Sequence, residues 1–206
     1  MDRVSGYPIS ITGAETDYRP ALSAVAMLRS GTPFLPNLQK FEWCRFEDWM
    51  LSVFIMRRSI TTFSLRVGFS FSEEGYEQVG RYFDFIADRM PQLEHFHLSV
   101  TDSEGCDISQ FSQALELLVP RLTNLKSIQF PAFNNTYPII SATSSLSRLT
   151  DIRIEFCPPD TPLPSSGPPC ILPSRLEMLH VSMTFRDAAG IFHTALPHLL
   201  EIRLIS

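Results

Sequence analysis

The sequence predicts an α/β solenoid, with about seven parallel strands on a concave face and helices on the convex side. Three observations predict this fold class. A short apolar pattern recurs along the whole 206-residue chain, and repetition of this kind is typical of stacked supersecondary units. Segments with the apolar spacing of amphipathic helices lie between most copies of the pattern. Each predicted strand has one apolar side and one polar side, which indicates a sheet covered on a single face.

The clearest copy of the pattern runs over residues 90–100, where apolar residues come first at steps of three and then alternate. Six other segments align with it, and the anchors of the seven copies are Leu38, Ile60, Leu93, Leu125, Leu149, Leu176 and Leu199. Neighbouring anchors are separated by 22 to 33 residues. A single strand–helix unit cannot bury its own apolar face, so we expect the units to stack and to bury a continuous core.

These copies divide the chain into an irregular lead-in at residues 1–19 and one solenoid domain at 20–206. The predicted strands are 35–43, 59–67, 90–100, 122–130, 146–154, 176–181 and 196–204. The predicted helices are 20–29, 46–57, 73–89, 108–122, 138–146 and 185–196. Pro120 is expected to bend or end the fourth helix. Residues 157–173 contain seven prolines, so this loop is expected to be extended or polyproline-like.

A doubly wound sheet is the alternative arrangement of alternating strands and helices. Its crossovers would place helices on both faces of the sheet, and its strands would then be apolar on both sides. The polar side of every predicted strand therefore favours the solenoid.

Composition excludes several classes of function. Charged residues make up 19% of the chain and the net charge is −5, with no basic stripe, so nucleic acid is not an expected partner. No signal-peptide run and no apolar stretch of membrane-spanning length occurs, so we expect no membrane partner and an intracellular, cytoplasmic or nuclear location. The four cysteines lack paired metal-ligand spacing and are expected to be free thiols.

Period-two alternation identifies the side chains that point away from the core in each strand. The first outward column is Lys40, Thr62, His95, Ser127, Asp151, Met178 and Glu201. The second outward column is Glu42, Ser64, His97, Gln129, Arg153, His180 and Arg203. From these columns we predict a protein-binding face formed by Lys40, Glu42, Ser64, His95, His97, Gln129, Asp151, Arg153, His180 and Arg203. The simpler interpretation is that these residues form the solvated face of a half-exposed sheet.

No metal, cofactor or catalytic site is expected. His95 and His97 share one strand face, but the neighbouring strands offer only Thr62, Ser64, Ser127 and Gln129, none of which is a good zinc ligand. None of the common catalytic or nucleotide-binding motifs occurs in the sequence. Three aromatic residues are expected to belong to the core rather than to stack on a cofactor, namely Trp43, Trp49 and Phe54.

The repeated pattern, with its Leu-Pro-Asn-Leu opening at residues 35–38 and Met-Pro-Gln-Leu opening at 90–93, resembles leucine-rich repeats. It looks most like the degenerate repeats of fungal F-box proteins, and the resemblance covers about residues 20–206. In that family an F-box recruits a cullin-type ubiquitin ligase and the repeats capture the substrate. Residues 1–30 contain no F-box-like Leu-Pro-x-Glu-[Ile/Leu] opening.

The leading hypothesis is a protein–protein interaction module that binds through its concave face, as the substrate-recognition part of an F-box-type adaptor. The alternatives are a degenerate or fragmentary repeat domain without a ligand, and an enzyme whose site carries no recognisable motif. The last predicted strand ends close to Ser206, which would leave an open sheet edge. We therefore expect either a longer parent chain or self-association through the C-terminal strand edge.

Overall fold

The structure is a computed structural model, and it describes residues 9–10, 37–44, 49–67, 73–100, 109–133, 136–155, 172–181 and 201–204, with single positions 24 and 35. Four features predicted from the sequence therefore lie entirely or almost entirely outside the described residues. They are the helices at 20–29 and 185–196, the proline-rich loop at 157–173 and most of the lead-in at 1–19.

The described residues form one open, parallel β-sheet, and helices connect several of its successive strands along the chain. The predicted α/β class is therefore confirmed. The strands are β1 (Ile9–Ser10), β2 (Lys40–Trp43), β3 (Thr62–Val67), β4 (His95–Val100), β5 (Ser127–Pro131), β6 (Asp151–Glu155), β7 (Met178–Val181) and β8 (Glu201–Leu204). They lie side by side in sequence order, and each pairs in parallel with the next. Side chains are described for the six strands β2 to β7. The strand that was not predicted, β1, lies within the expected lead-in.

Four described helices connect consecutive strands between β2 and β6. They are α1 (Trp49–Ile55), α2 (Glu73–Arg89), α3 (Ser109–Leu118) and α4 (Tyr137–Thr143). Crossovers between parallel strands are almost always right-handed, so a sheet in sequence order receives successive helices on the same face. The Phe83 ring of α2 meets the Phe96 ring of β4 edge-on at 6.2 Å, and the Phe111 ring of α3 also lies at 6.2 Å from Phe83. The core therefore lies between the helices and one side of the sheet.

The apolar side of the sheet is closely packed from strand to strand. Phe41, Phe63 and Phe96 are register partners on β2, β3 and β4. Their rings stack at centroid distances of 5.3 Å and 6.0 Å, and such pairs contribute about 0.5–1.5 kcal/mol beyond the burial of their area. Ile128 and Ile152 continue the same row and are fully buried. This row holds the spacing of the strands, and with it the spacing of the polar side chains on the opposite side.

The strands begin later than the sequence pattern predicted, because the steps of three residues form a turn. The amide of Leu93 donates to the carbonyl of Met90 at 3.0 Å, and Leu125 donates to Leu122 at 3.0 Å. Equivalent turns precede the other strands from β2 to β7, with bonds from Leu38 to Leu35, Ile60 to Arg57, Leu149 to Leu146 and Leu176 to Pro173. The six anchors that the structure describes, Leu38, Ile60, Leu93, Leu125, Leu149 and Leu176, are thus turn residues whose side chains are buried in the core.

Each of the four described helices overlaps the span predicted for it. The span of α2 is the predicted one, and α3 ends at Leu118, where residues Val119–Arg121 continue as a single 3-10 turn. The prediction that Pro120 would end this helix is confirmed, since proline cannot donate the bond that the next helical turn needs.

The expectation that Phe54 belongs to the core is wrong. Trp43 and Trp49 are 5% and 4% exposed, as expected, but Phe54 is 49% exposed. Trp49, Val53 and Met56 lie three or four residues apart, so they share the inward face of this segment, and Phe54 is turned out of that face.

Candidate functional site

Two rows of register partners cross the sheet from β2 to β8, and their described side chains, on β2 to β7, form its polar side. The first row consists of Lys40, Thr62, His95, Ser127, Asp151, Met178 and Glu201, and the second row of Glu42, Ser64, His97, Gln129, Arg153, His180 and Arg203. Each residue is the register partner of the next, so the two columns predicted from the sequence are confirmed. The side chains of Glu201 and Arg203 lie outside the described part of the chain. Parallel strands are about 4.8 Å apart, so the described side chains form a continuous surface.

Access to these side chains differs along the rows. Lys40 and His95 are exposed, whereas Ser64, Gln129 and His180 are half-buried. Asp151 is 5% exposed. Its neighbours cover its carboxylate, and the assignment of Asp151 to the protein-binding face stays a prediction.

Arg153 is the side chain that covers Asp151. Its Nη2 donates to Asp151 Oδ2 at 2.9 Å, and its Nε donates to Oδ2 at 3.1 Å and to Oδ1 at 3.3 Å. Ser127 Oγ donates to Oδ2 at 3.3 Å from the neighbouring strand. Charge-assisted bonds of this forked kind fix the orientation of a guanidinium. The side chain of Arg153 is 41% exposed, so a ligand here would meet the arginine rather than the carboxylate.

Two charged residues of the site were missed by the sequence analysis. Arg66 and Glu155 occupy the third outward positions of β3 and β6, beyond the two columns that were considered. Arg66 Nε lies 2.9 Å from Glu42 Oε1, and Gln129 Nε2 donates to Glu155 Oε1. Extending the period-two alternation by two residues along each strand would have identified both.

Cys44 follows β2, close to the Arg66–Glu42 pair, and its side chain is half-buried. Burial raises the pKa of the Cys44 thiol, and the neighbouring Glu42 carboxylate, whose Oε1 lies 3.8 Å from Sγ, adds to the increase. The thiol is therefore protonated at neutral pH. Arg66 acts in the opposite direction, but burial and Glu42 outweigh it, so the thiol is not activated as a nucleophile.

His97 lies at the centre of the second row. Its Nε2 is buried and has no hydrogen-bond partner among the described residues, and the same holds for Nε2 of His180. Burial lowers the pKa of His97; Arg66 and Arg153 lower it further, while Glu155 and Glu42 act in the opposite direction. His97 is therefore a neutral imidazole at neutral pH, with charged side chains on both sides.

The two histidines of β4 have hydroxyl and amide side chains as their neighbours across the sheet. His95 and His97 have Thr62, Ser64, Ser127 and Gln129 as register partners, the neighbours that the sequence predicted. Within the described ranges, no group of three or more His, Cys, Asp and Glu side chains could hold a metal ion. None of the helices described here has both the length and the apolar character needed to cross a bilayer.

Comparison with models of known protein families and with curated proteins gives no match for this sequence.

Proposed function

We propose that this chain is a protein-binding module whose ligand-binding surface is the polar side of the sheet. The observation that carries the proposal is the pair of rows that cross the strands. Their side chains are hydrogen-bonding or charged with a single apolar exception, and they lie opposite a side packed with aromatic and aliphatic residues. A broad polar surface on a rigid sheet, with the helices confined to the other side, is what stacked-repeat proteins use to bind partners.

The proposal includes a leucine-rich-repeat-like solenoid as the architecture. Three features support it: the sequential order of the parallel strands, the single crossover between neighbours and the recurring turn before each strand from β2 to β7. Asn124 adds a link between repeats, because its Nδ2 donates to the Pro91 carbonyl at 3.0 Å and its Oδ1 accepts from Arg148 Nη1 at 3.0 Å. Pro91, Asn124 and Arg148 lie in the turns that precede β4, β5 and β6, so the Asn124 side chain connects three successive repeats.

Cross-strand bonds give this surface the rigidity that recognition requires. The Arg66–Glu42 pair joins β3 to β2, and the Gln129–Glu155 bond joins β5 to β6. The Arg153–Asp151 pair is held within β6 and is tied to β5 by Ser127. A surface whose side chains are already ordered loses less conformational entropy when a partner binds.

The resemblance to the repeats of fungal F-box proteins extends the proposal to a biological role. In that role the polar side would capture the substrate of a ubiquitin ligase inside the cell. An F-box in a longer parent chain, or a separate subunit that supplies it, would deliver the captured protein to the ligase.

The proposal is tested by affinity capture from a cell extract with three forms of the chain. The first is the wild type and the second carries His97→Ala, Gln129→Ala and Arg153→Ala. The third is a matched control with Arg81→Ala, Gln113→Ala and Ser141→Ala, which changes one exposed residue on each of three helices. We expect a protein retained by the wild type and the control and lost with the second form. Ubiquitin-ligase subunits among the captured proteins would support the F-box role.

A loss of folding must be distinguished from a loss of binding in this test. Arg153 neutralises the buried Asp151 carboxylate, so its removal could destabilise the fold. A fourth form therefore adds Asp151→Asn to the three substitutions on the polar side, which removes the charge that would be left unpaired. Circular dichroism melting should show that every form is folded. A partner that binds the second and fourth forms as tightly as the wild type would overturn the proposal and leave a repeat domain without a ligand on this side.

A further inference from the structure

His97 lies among four charged side chains that come from three different strands. Glu155 and Arg153 approach from β6, Arg66 from β3 and Glu42 from β2. The neighbouring strand β5 contributes the neutral amide of Gln129, which is the register partner of His97. The other histidine of the same strand, His95, is exposed. A proton bound by His97 would therefore enter a group of two carboxylates and two guanidinium groups.

The position of Nε2 determines what a protonated His97 ring would need. In the neutral ring one nitrogen carries a proton, whereas both nitrogens are donors in the imidazolium. Nε2 is buried without a partner among the described residues, so protonation would create a buried cationic donor. Such a group is stabilised only when it finds an acceptor, and a carboxylate is the strongest one.

The two nearby carboxylates are not equally available to His97. Glu42 is paired with the Arg66 guanidinium, whose Nε lies 2.9 Å from its Oε1. The described partner of Glu155 is the neutral amide of Gln129. The Arg66 guanidinium attracts the Glu42 carboxylate with a full charge, whereas the neutral Gln129 amide adds no charge–charge attraction to its bond with Glu155. An imidazolium would therefore compete with Gln129 for Glu155 more readily than with Arg66 for Glu42.

We propose that His97 is a proton-operated switch within the binding surface. Protonation draws Glu155 from the Gln129 amide to His97 Nε2, which releases the amide and places a positive charge in the middle of the second row. The effect on a ligand rests on the binding function proposed above. A partner that fits the neutral surface loses affinity when the surface rearranges, and by reciprocity its binding opposes protonation of His97.

The rearrangement is tested without a ligand by nitrogen NMR of the whole chain, labelled at histidine and glutamine. The His97 ring and the Gln129 side-chain amide are followed from about pH 8 to about pH 5, the range in which histidines titrate. We expect both signals to change at one midpoint, below that of an ordinary histidine. The His97→Gln variant should abolish the change at Gln129.

Two further variants make this test specific. Glu155→Gln should lower the midpoint of His97 because it removes the carboxylate that favours the cation, and it changes an exposed side chain that folding does not need. His95→Gln should leave the transition at Gln129 unchanged. A Gln129 amide that stays constant while His97 titrates, or that shifts equally in the His97→Gln variant, would overturn the switch.

The effect on binding is measured with the partner identified by capture, purified and titrated against the wild type and the His97→Gln variant at neutral and acidic pH. We expect the affinity of the wild type to fall by about fivefold or more on acidification, as coupling between two sites commonly produces, and the affinity of the variant to stay constant. A wild-type affinity that does not change with pH would overturn the coupling and leave the binding function intact. If the NMR transition occurs and no partner is retained at either pH, the binding function fails and the switch stands.

Discussion

The hydroxyl groups of Ser52 and Tyr82 lie 2.8 Å apart between α1 and α2, and both side chains are fully buried. Ser52 Oγ also lies 2.6 Å from the Trp49 carbonyl, to which it donates its single proton. Tyr82 must therefore be the donor to Ser52. This buried polar contact helps to fix the position of α1 against α2, and through α2 the position of the core beneath β4.

Replacement of Tyr82 by Phe removes this donor without leaving a cavity. We expect the free energy of unfolding to fall by about 1 kcal/mol, the usual contribution of a hydrogen bond between neutral groups. Ser52→Ala removes two bonds and should cost more than Tyr82→Phe. Both values are measured by urea denaturation, with Ser144→Ala as the control, since this serine is exposed and bonds only within its own turn. Equal stability of the wild type and the Tyr82→Phe variant would show that the bond between the two hydroxyl groups does not stabilise the fold.

The inward position of Leu98 can be tested on β4 itself. Leu98 is fully buried, while Ser99 is half-buried on the other side of the strand. Leu98→Asp would bury a charge without a partner and is expected to abolish the cooperative melting transition. Leu98→Ala gives a measurable value, with an expected loss of about 2–5 kcal/mol. Ser99→Asp is the control and should melt close to the wild type; an intact transition for Leu98→Asp would mean that the strand faces are reversed.

The alternation tested at Leu98 is also why the two polar rows could be predicted from the sequence. In a strand, side-chain direction depends only on whether a position is odd or even, so fixing Phe96 inward fixed His95 and His97 outward. Strand starts were predicted too early because steps of three residues indicate apolar contact but do not distinguish a turn from a strand. Phe54 was placed in the core because hydrophobicity alone does not show which way a short helix is turned.

The contacts within the polar side could not be predicted in the same way. Whether Asp151 is open to a ligand depends on the rotamer of Arg153, which folds back over its own strand instead of extending into solvent. The pairing of Gln129 with Glu155 depends on the rotamers of two long side chains on neighbouring strands, and no sequence pattern sets those rotamers. The sequence can therefore predict which residues share a face, while the network among them requires the structure.

The lowered pKa of His97 predicts how stability changes with acidity. Burial holds the folded-state pKa below the value of about 6.5 in the unfolded chain. The unfolded state therefore binds a proton more readily, so the contribution of His97 to stability is present above about pH 6.5 and is lost as the pH falls through the folded-state value. We expect the wild type to lose more stability than the His97→Gln variant between neutral pH and pH 5 in urea denaturation. Parallel curves for the two proteins would show that the ring is solvated.

The pairing of Arg153 with Asp151 predicts an asymmetry between single and double substitutions. The carboxylate side chain is 8% exposed and the arginine side chain 41%, so Arg153→Ala leaves a buried charge without its main partner. We expect this variant to lose about 1–3 kcal/mol of unfolding free energy. Adding Asp151→Asn should restore part of the loss, because the amide carries no charge and Ser127 can still donate to its oxygen.

The matched control for this pair is Arg121→Ala. Arg121 contacts Asp84 and Asp88 on the helical side, where all three side chains are well exposed. Exposed ion pairs contribute at most about 1 kcal/mol and are screened by salt, so this variant should lose little and its loss should vanish at high salt. The loss in Arg153→Ala should persist at high salt, because a buried carboxylate is poorly screened. Equal losses with equal salt dependence would mean that Asp151 is solvated and free to meet a ligand.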